Sequence, residues 1–294
     1  MIIDGKSIAG TILSTLTDTV QTIVANNVVP TMAVILIGDD PASLAYIKQK
    51  QKAAEAIGAR VIFDHQSDTI SADILKNLIQ KYNTDASIHG LIVQRPIPAS
   101  LGDVSMILDS IDPKKDIDGF LPNSTYTVPV AAAVGECLKE IYRSTETPTL
   151  DPTQFESTYL AWLQKKNIAI IGRGTTAGGP ILHYFEKLHC ATSQIYSKTP
   201  NPDSVILAAD IVVSCVGKPH IVTAANSKAG AILISVGIWR NEEGKLHGDY
   251  EISEIEHHAS WYTPTPGGVG PVNVACLMQN LVKACMISIE RKTL

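Results

Sequence analysis

What this chain lacks narrows its class first. Its five cysteines, Cys137, Cys190, Cys215, Cys276 and Cys285, are odd in number, scattered, and nowhere spaced as CxxC. That argues against a disulfide frame and a cysteine zinc site, and it fits a reducing compartment. The eight histidines contain no HExxH, and the adjacent His257 and His258 would not share a helix face as ligands. No metal is expected. Charge of one sign is also missing. With 24 basic and 29 acidic residues the net charge is -5, and no basic run or aromatic series suits nucleic acid. The N-terminus has no basic region, apolar stretch and cleavage site of a signal peptide. No apolar run reaches the roughly 18 residues that span a bilayer. The expectation is a soluble, cytoplasmic protein with neither nucleic acid nor membrane as a partner.

What remains is globular. The 294 residues are 45% hydrophobic and 18% charged, enough for two α/β domains. Apolar runs alternate with helical patterns, the mark of parallel sheets. Residues 7–26 read as an amphipathic helix. Met32 to Ile37 is an unbroken apolar run, as a buried parallel strand should be. A helix from about 42 to 57, a strand at 60–63, a helix at 71–82 and a strand at 89–93 complete one strand-helix-strand-helix-strand unit. A second unit opens with a strand at 167–171. A glycine turn and a helix to about 188 follow, then strands at 193–196, 210–213 and 231–236. The polar, proline-bearing stretch 143–157 reads as a linker or surface loop. Residues 271–290 read as a closing helix.

Gly172-Arg173-Gly174 and then Gly178-Gly179, opening a helix after a strand, form a dinucleotide-type turn. Such glycines bring the backbone close to a pyrophosphate at a helix N-terminus. The spacing is GxGxxxG rather than the usual GxGxxG, because Ala177 takes the third position. The turn alone fits either a nucleotide site or a bare βα loop. The next strand ends in Tyr196-Ser197-Lys198-Thr199, with no acid to bond a ribose 2′-hydroxyl. Arg173 with hydroxyl and lysine donors suits a 2′-phosphate, so a nicotinamide site here favours NADP. Lys198 and Thr199 also fit plain turn residues.

On a helical wheel of residues 42–57, Tyr46, Lys50, Ala53, Ala54 and Ile57 share one side, with Ile47 at its edge. Lys48 and Lys52 keep to the polar face; Lys50 does not. Either Lys50 snorkels from the margin of the stripe, or it is a partly buried amine of lowered pKa, one turn from Tyr46, suited to acid/base work. Two further stretches fall at strand ends, where α/β sheets bind ligands. One is Val93-Gln94-Arg95-Pro96-Ile97-Pro98, a rigid polar turn. The other is Lys115-Asp116-Ile117-Asp118-Gly119-Phe120, where two acids flank an isoleucine and point the same way if the chain is extended. Either acid could instead cap a turn. Thr263 to Pro271 sets paired glycines among prolines, a stiff loop suited to a ligand lip.

Taken together, these segments resemble the methylenetetrahydrofolate dehydrogenase/methenyltetrahydrofolate cyclohydrolase family over nearly the whole chain. The resemblance runs through Gly38 to Ser43, Tyr46-x-x-x-Lys50, Val93 to Pro98, Lys115 to Phe120, Ile171-Gly-Arg173 and Pro264 to Pro271. The Lys-Asp-Ile-Asp-Gly and Pro-Gly-Gly-Val-Gly-Pro elements are its specific signatures. It implies two three-layer α/β domains around an interdomain cleft. Residues 1–142 would form the folate domain, with 271–294 packing back on it, and 143–270 a Rossmann-like NADP domain. It implies NADP-dependent oxidation of methylene-tetrahydrofolate, then hydrolysis of methenyl- to formyl-tetrahydrofolate, in one-carbon metabolism and purine biosynthesis. Lys50 would be the key acid/base, Tyr46 would contact folate and position Lys50, and Gln94 would tune Lys50. Asp118 would bond the pterin edge by paired hydrogen bonds. Val93, Pro266, Gly267 and Gly270 would border the folate; Gly172, Arg173, Gly174, Ser197 and Ile238 would line the NADP site. A homodimer through the nucleotide domains is implied as well.

The departures from the family pattern gather on the nucleotide side. Gly174 stands where a serine is usual, Gly179 where a basic residue is usual, Tyr196 for histidine and Ser235 for aspartate. Tyr126-Thr-Val-Pro129 replaces Pro-Cys-Thr-Pro, Val272-Asn273 replaces Met-Thr, and 143–163 is longer than usual. Two alternatives therefore stand beside the bifunctional reading. One is a cyclohydrolase with a degenerate nucleotide site. The other is a folate-binding protein without catalysis. A shikimate-type dehydrogenase fits the architecture but not the glycines at 267–270.

Overall fold

The computed structural model describes residues 1–145 and 152–290. The chain begins with α1 (Gly5–Val24), β1 (Thr31–Ile37), α2 (Pro41–Ala56), β2 (Arg60–Gln66), α3 (Ala72–Thr84), β3 (Gly90–Val93) and the short α4 (Ser105–Leu108). The three strands form a parallel sheet in the order β2-β1-β3. As the central strand, β1 is buried at every position, which is why its sequence shows no alternation. Ala33, Ile35 and Ile37 pack in one core with Leu75, Ile79 and Tyr82 of α3. α2 starts where Asp40 accepts the amide of Ser43 at 2.7 Å and Pro41 opens the helix; Gly58, at φ 78°, ends the turn behind it. Ser71 caps α3 in the same way through Ile74 N.

The chain continues through α5 (Pro129–Thr145), α6 (Pro152–Leu163), β4 (Asn167–Ile171), α7 (Gly178–Lys187), β5 (Ala191–Ile195), α8 (Pro202–Ala208), β6 (Ile211–Ser214) and β7 (Ile232–Ser235). A hairpin of β8 (Trp239–Arg240) and β9 (Leu246–His247) follows, then α9 (Ile252–Ile255), β10 (Trp261–Tyr262) and α10 (Val269–Glu290). The second sheet is parallel, in the order β10-β7-β6-β4-β5. β4 lies between β5 and β6, so the strand order reverses beside it, the place where such sheets take ligands.

Contacts group Gly10–Pro129 and the chain from Val274 as one unit, and Met1–Ala9 with Val130–Asn273 as the other. The expected boundary at 142 therefore moves to the start of α5. Aromatic packing explains the shift: Tyr142 meets Phe155 and Trp162 at centroid distances of 5.7 and 5.4 Å, and Tyr159 Oη donates to Gly135 O. The first residues join the same unit through Ile3 N, which donates to Tyr262 O at 2.8 Å. In α10, Asn280 Nδ2 donates to Ile117 O and Thr127 O, at 2.8 and 2.9 Å, within the other unit.

Two further expectations change. Residues 152–157, read as linker, belong to α6, whose aromatic positions give it a face to bury; residues 146–151 of that stretch lie outside the described residues. α10 is also long and apolar enough, by length and composition, to cross a membrane. Asn273, the pair Gln279-Asn280 and Lys283 break its apolar run without lowering the mean hydropathy much. In the fold 56% of that apolar window is buried inside the protein.

Candidate active site

Lys50 sits on the buried face of α2 with Ser43, Ile47, Ala53 and Ala54, and Ile57 just beyond. Ile47 is fully inside rather than at the edge, which moves Lys50 to the middle of the stripe; snorkelling from a margin does not describe it. Its side chain is 8% exposed. Nζ donates to Gln94 Oε1 at 2.9 Å. Burial holds the ammonium below the ordinary lysine range, and the negative charge of Asp118 opposes part of that shift.

Gln94 follows β3, and its amide is oriented by a second contact. Nε2 donates to Arg95 O at 3.0 Å, so Oε1 is the atom left to face Lys50. The same Arg95 oxygen accepts Ser43 Oγ at 3.1 Å. Ser43 was missed in the sequence, although it lies seven residues before Lys50 and so on the same face. Tyr46, one turn before Lys50, is half-buried, and burial raises its phenol. It therefore stays protonated while Lys50 loses its proton more readily. Val93, the last residue of β3, is buried.

The 115–120 segment is turned rather than extended, so its two acids part ways. Asp116 is 4% exposed and accepts Leu121 N at 2.9 Å; burial raises its carboxyl. It holds the turn. Asp118 is half-buried; it and Asp116 both line a small cavity with Val93, Arg95, Leu108 and Phe120, but only Asp116 is spent on the turn. Gly119, at φ 72°, makes the turn possible, since a Cβ there would meet Tyr126 O at 2.8 Å.

The other unit carries the glycine turn. Gly172 has φ 110° and lies against Cys215 O, and a Cβ on Gly178 would overlap Gly172 O. These two glycines are sterically required. Gly174 has open space around it, so its glycine is not. α7 has no side-chain cap over its first residues. Arg173 is exposed and stacks over the Tyr196 ring at 4.8 Å. Ser197 and Lys198 are exposed, whereas Thr199 closes a turn by accepting Tyr196 N at 3.0 Å. A close glycine cradle with basic and hydroxyl groups at the end of β5, and no acid there, fits a dinucleotide with a 2′-phosphate.

Ile238 is 41% exposed just after β7. Pro266, Gly267 and Gly270 belong to this unit and not to that of Lys50. Gly267 has φ 106°, and Gly268 packs so tightly on Pro264 that a Cβ would lie 2.6 Å from its oxygen. Gly270 stands in open space in the first turn of α10, so the stiff loop ends at Gly268. Among the described residues no cluster of His, Cys, Asp or Glu could hold a metal.

Known proteins show the same pairing of parts. Residues 3–118 match the tetrahydrofolate dehydrogenase/cyclohydrolase catalytic domain, and residues 154–289 match the NAD(P)-binding domain of the same enzymes. The chain belongs to the tetrahydrofolate dehydrogenase/cyclohydrolase family. It is 36% identical over 284 residues to the bifunctional protein FolD of Geobacillus thermodenitrificans, covering 96% of each chain. It superposes on the crystal structure of the bifunctional FolD dehydrogenase/cyclohydrolase of Campylobacter jejuni with a TM-score of 0.87, at 30% identity, over 98% of this chain and 99% of that one. The Trypanosoma brucei enzyme, solved with NADP cofactor and inhibitor, gives 0.85 at 27% identity over 98% of both chains. The family's fold, two α/β domains with parallel sheets, is the fold described above.

Proposed function

We propose that the chain oxidises methylene-tetrahydrofolate with NADP and hydrolyses the methenyl product to formyl-tetrahydrofolate. The observation that carries the reading is Lys50, a buried amine of lowered pKa whose hydrogen-bond partner is a neutral amide. Its free-base form takes a proton from the attacking water, and its ammonium form returns one to the departing folate nitrogen. Gln94 fixes the direction of that amine. Asp118 takes the pterin's amino-imine edge with two parallel hydrogen bonds, and Tyr46 contacts folate and crowds Lys50 into place. Val93, Pro266, Gly267 and Gly270 border the folate.

NADP, when bound, supplies the acceptor for the hydride. The chain's part in that step is positioning. Gly172 and Gly178 let the backbone approach the pyrophosphate, Arg173 and Ser197 take the 2′-phosphate, and Gly174 and Ile238 line the site. The family resemblance is also the support for a cytoplasmic homodimer joined through its nucleotide units and supplying one-carbon groups to purine biosynthesis.

Lys50→Met is the direct test. It should abolish hydrolysis of methenyl-tetrahydrofolate, and normal hydrolysis by that variant would remove Lys50 from its role. A second reading, hydrolysis without oxidation, is favoured by Gly174 and Gly179 standing where the family has serine and a basic residue. Reduction of NADP by methylene-tetrahydrofolate would eliminate it.

A further inference from the structure

Asp249 is fully buried, at 0% exposure. Its carboxyl oxygens accept from four donors. Oδ2 accepts Ser214 Oγ at 2.6 Å and Val216 N at 3.0 Å; Oδ1 accepts Gly217 N at 2.7 Å and Lys218 N at 2.9 Å. A polar group this deep is costly unless its acceptor oxygens find donors, and here both do. Three of them are the consecutive amides of the loop that leaves β6. Asp249 N donates in turn to Ser235 Oγ at 2.9 Å, and Ser235 Oγ donates to Gly237 O at 3.2 Å. Gly237 passes so close that a Cβ would overlap the carboxylate. Gly217, at φ 72°, lies against Ile238 O. Asp249 thus holds the loop after β6 through its carboxylate, and through its backbone amide and Ser235 it reaches the turn after β7 that leads to Ile238.

Both segments leave the C-terminal ends of adjacent parallel strands, on the side of β4 away from β5. In a dinucleotide fold the strand at the position of β5 takes the adenosine ribose. The nicotinamide half runs to the opposite side. We propose that Asp249 is a positioning residue for the nicotinamide half of NADP, setting the 215–218 loop and the Ile238 backbone against it. The proposal rests on the NADP reading above.

The test is calorimetry on the full-length chain with two ligands. NADP spans both halves; adenosine 2′,5′-bisphosphate carries only the adenosine half. In Asp249→Asn an amide N–H₂ must face two donors, so the loop shifts. NADP affinity should fall roughly tenfold, the range of a lost hydrogen bond to a charged group. The bisphosphate should bind as before, and methenyl-tetrahydrofolate hydrolysis should be unchanged. Ser214→Ala keeps the carboxylate and removes one donor. It should show the same pattern at about threefold, and it carries the test if Asp249→Asn does not fold. Equal losses for both ligands, or unchanged NADP affinity, overturn the proposal. A wild-type chain that binds neither ligand overturns the NADP reading itself.

Discussion

The Nζ of Lys50 donates to Oε1 of Gln94 at 2.9 Å, so this buried amine is bonded to a neutral amide rather than to a carboxylate. The amide cannot offset the loss of water around an ammonium as an opposite charge would. A base whose folded pKa is lowered destabilises the fold wherever it stays protonated. The cost is full below the folded pKa and is gone above the unfolded one. Lys50→Met should therefore stabilise the protein at neutral pH, by about 1 kcal/mol or more. Thermal melts across pH should show that gain shrinking as pH rises towards the ordinary lysine range. A gain independent of pH would mean that packing, not charge, is responsible.

The same geometry sets the pH dependence of hydrolysis. If the free amine is the working form, the rate rises with pH through the lowered pKa of Lys50. Gln94→Glu places a negative charge beside Nζ and should move that limb to higher pH. Asp118→Asn removes the charge that raises the lysine and should move it lower. Opposite shifts in pH–rate profiles are the expected result; two unshifted profiles would place the titrating group elsewhere.

The start of α2 bears on both residues of the Tyr46–Lys50 pair. Asp40 accepts Ser43 N at 2.7 Å, and that bond holds its carboxyl below the ordinary range. The stabilisation is present above the unfolded pKa of Asp40 and lost as pH falls through the folded one. Asp40→Ala should cost about 1 kcal/mol at neutral pH, as lost caps do. In acid, melts of variant and wild type should converge.

Gly178 and Gly174 should behave oppositely. A Cβ on Gly178 overlaps Gly172 O, so Gly178→Ala should destabilise by roughly 1–3 kcal/mol, as overpacking does, and should abolish NADP binding. Nothing lies within 4 Å of a Cβ on Gly174. Gly174→Ser, which restores the family's usual residue, should leave the melting temperature unchanged and keep NADP reduction. Loss of stability in that variant would show that the glycine is needed after all.

Much of this was legible in the sequence because periodicity survives without coordinates. The unbroken apolar run of β1 and the misplaced lysine of α2 are properties of residue order, and both lie where the pattern puts them. Of Asp116 and Asp118, the resemblance singled out Asp118, and the fold gives Asp116 the turn; only their shared direction failed, since it assumed an extended chain and the segment turns instead. Asp249 left no trace. It sits in a polar stretch, and its four donors come from residues 31 to 35 positions away, closed up by the sheet order. The α5 boundary was equally hidden, because aromatic packing between helices has no signature in either helix alone.

Arg173 and Tyr196 supply the remaining prediction, on cofactor choice. The guanidinium lies 4.8 Å from the ring centroid, and both side chains are exposed at the nucleotide turn. Stacking on an aromatic face restricts the guanidinium without consuming its N–H donors, which stay free for a phosphate. On the proposed reading a 2′-phosphate would meet them, and the ribose hydroxyl of NAD would offer no charge. Arg173→Ala should weaken NADP by roughly tenfold or more, the scale of a charge-assisted bond, and leave NAD nearly unchanged. Tyr196→Ala keeps the charge but frees the side chain, so its loss should be smaller and fall on NADP alone. Binding of both dinucleotides to the two variants separates the cases. Equal weakening of NADP and NAD would assign Arg173 to the shared pyrophosphate instead of the 2′-phosphate.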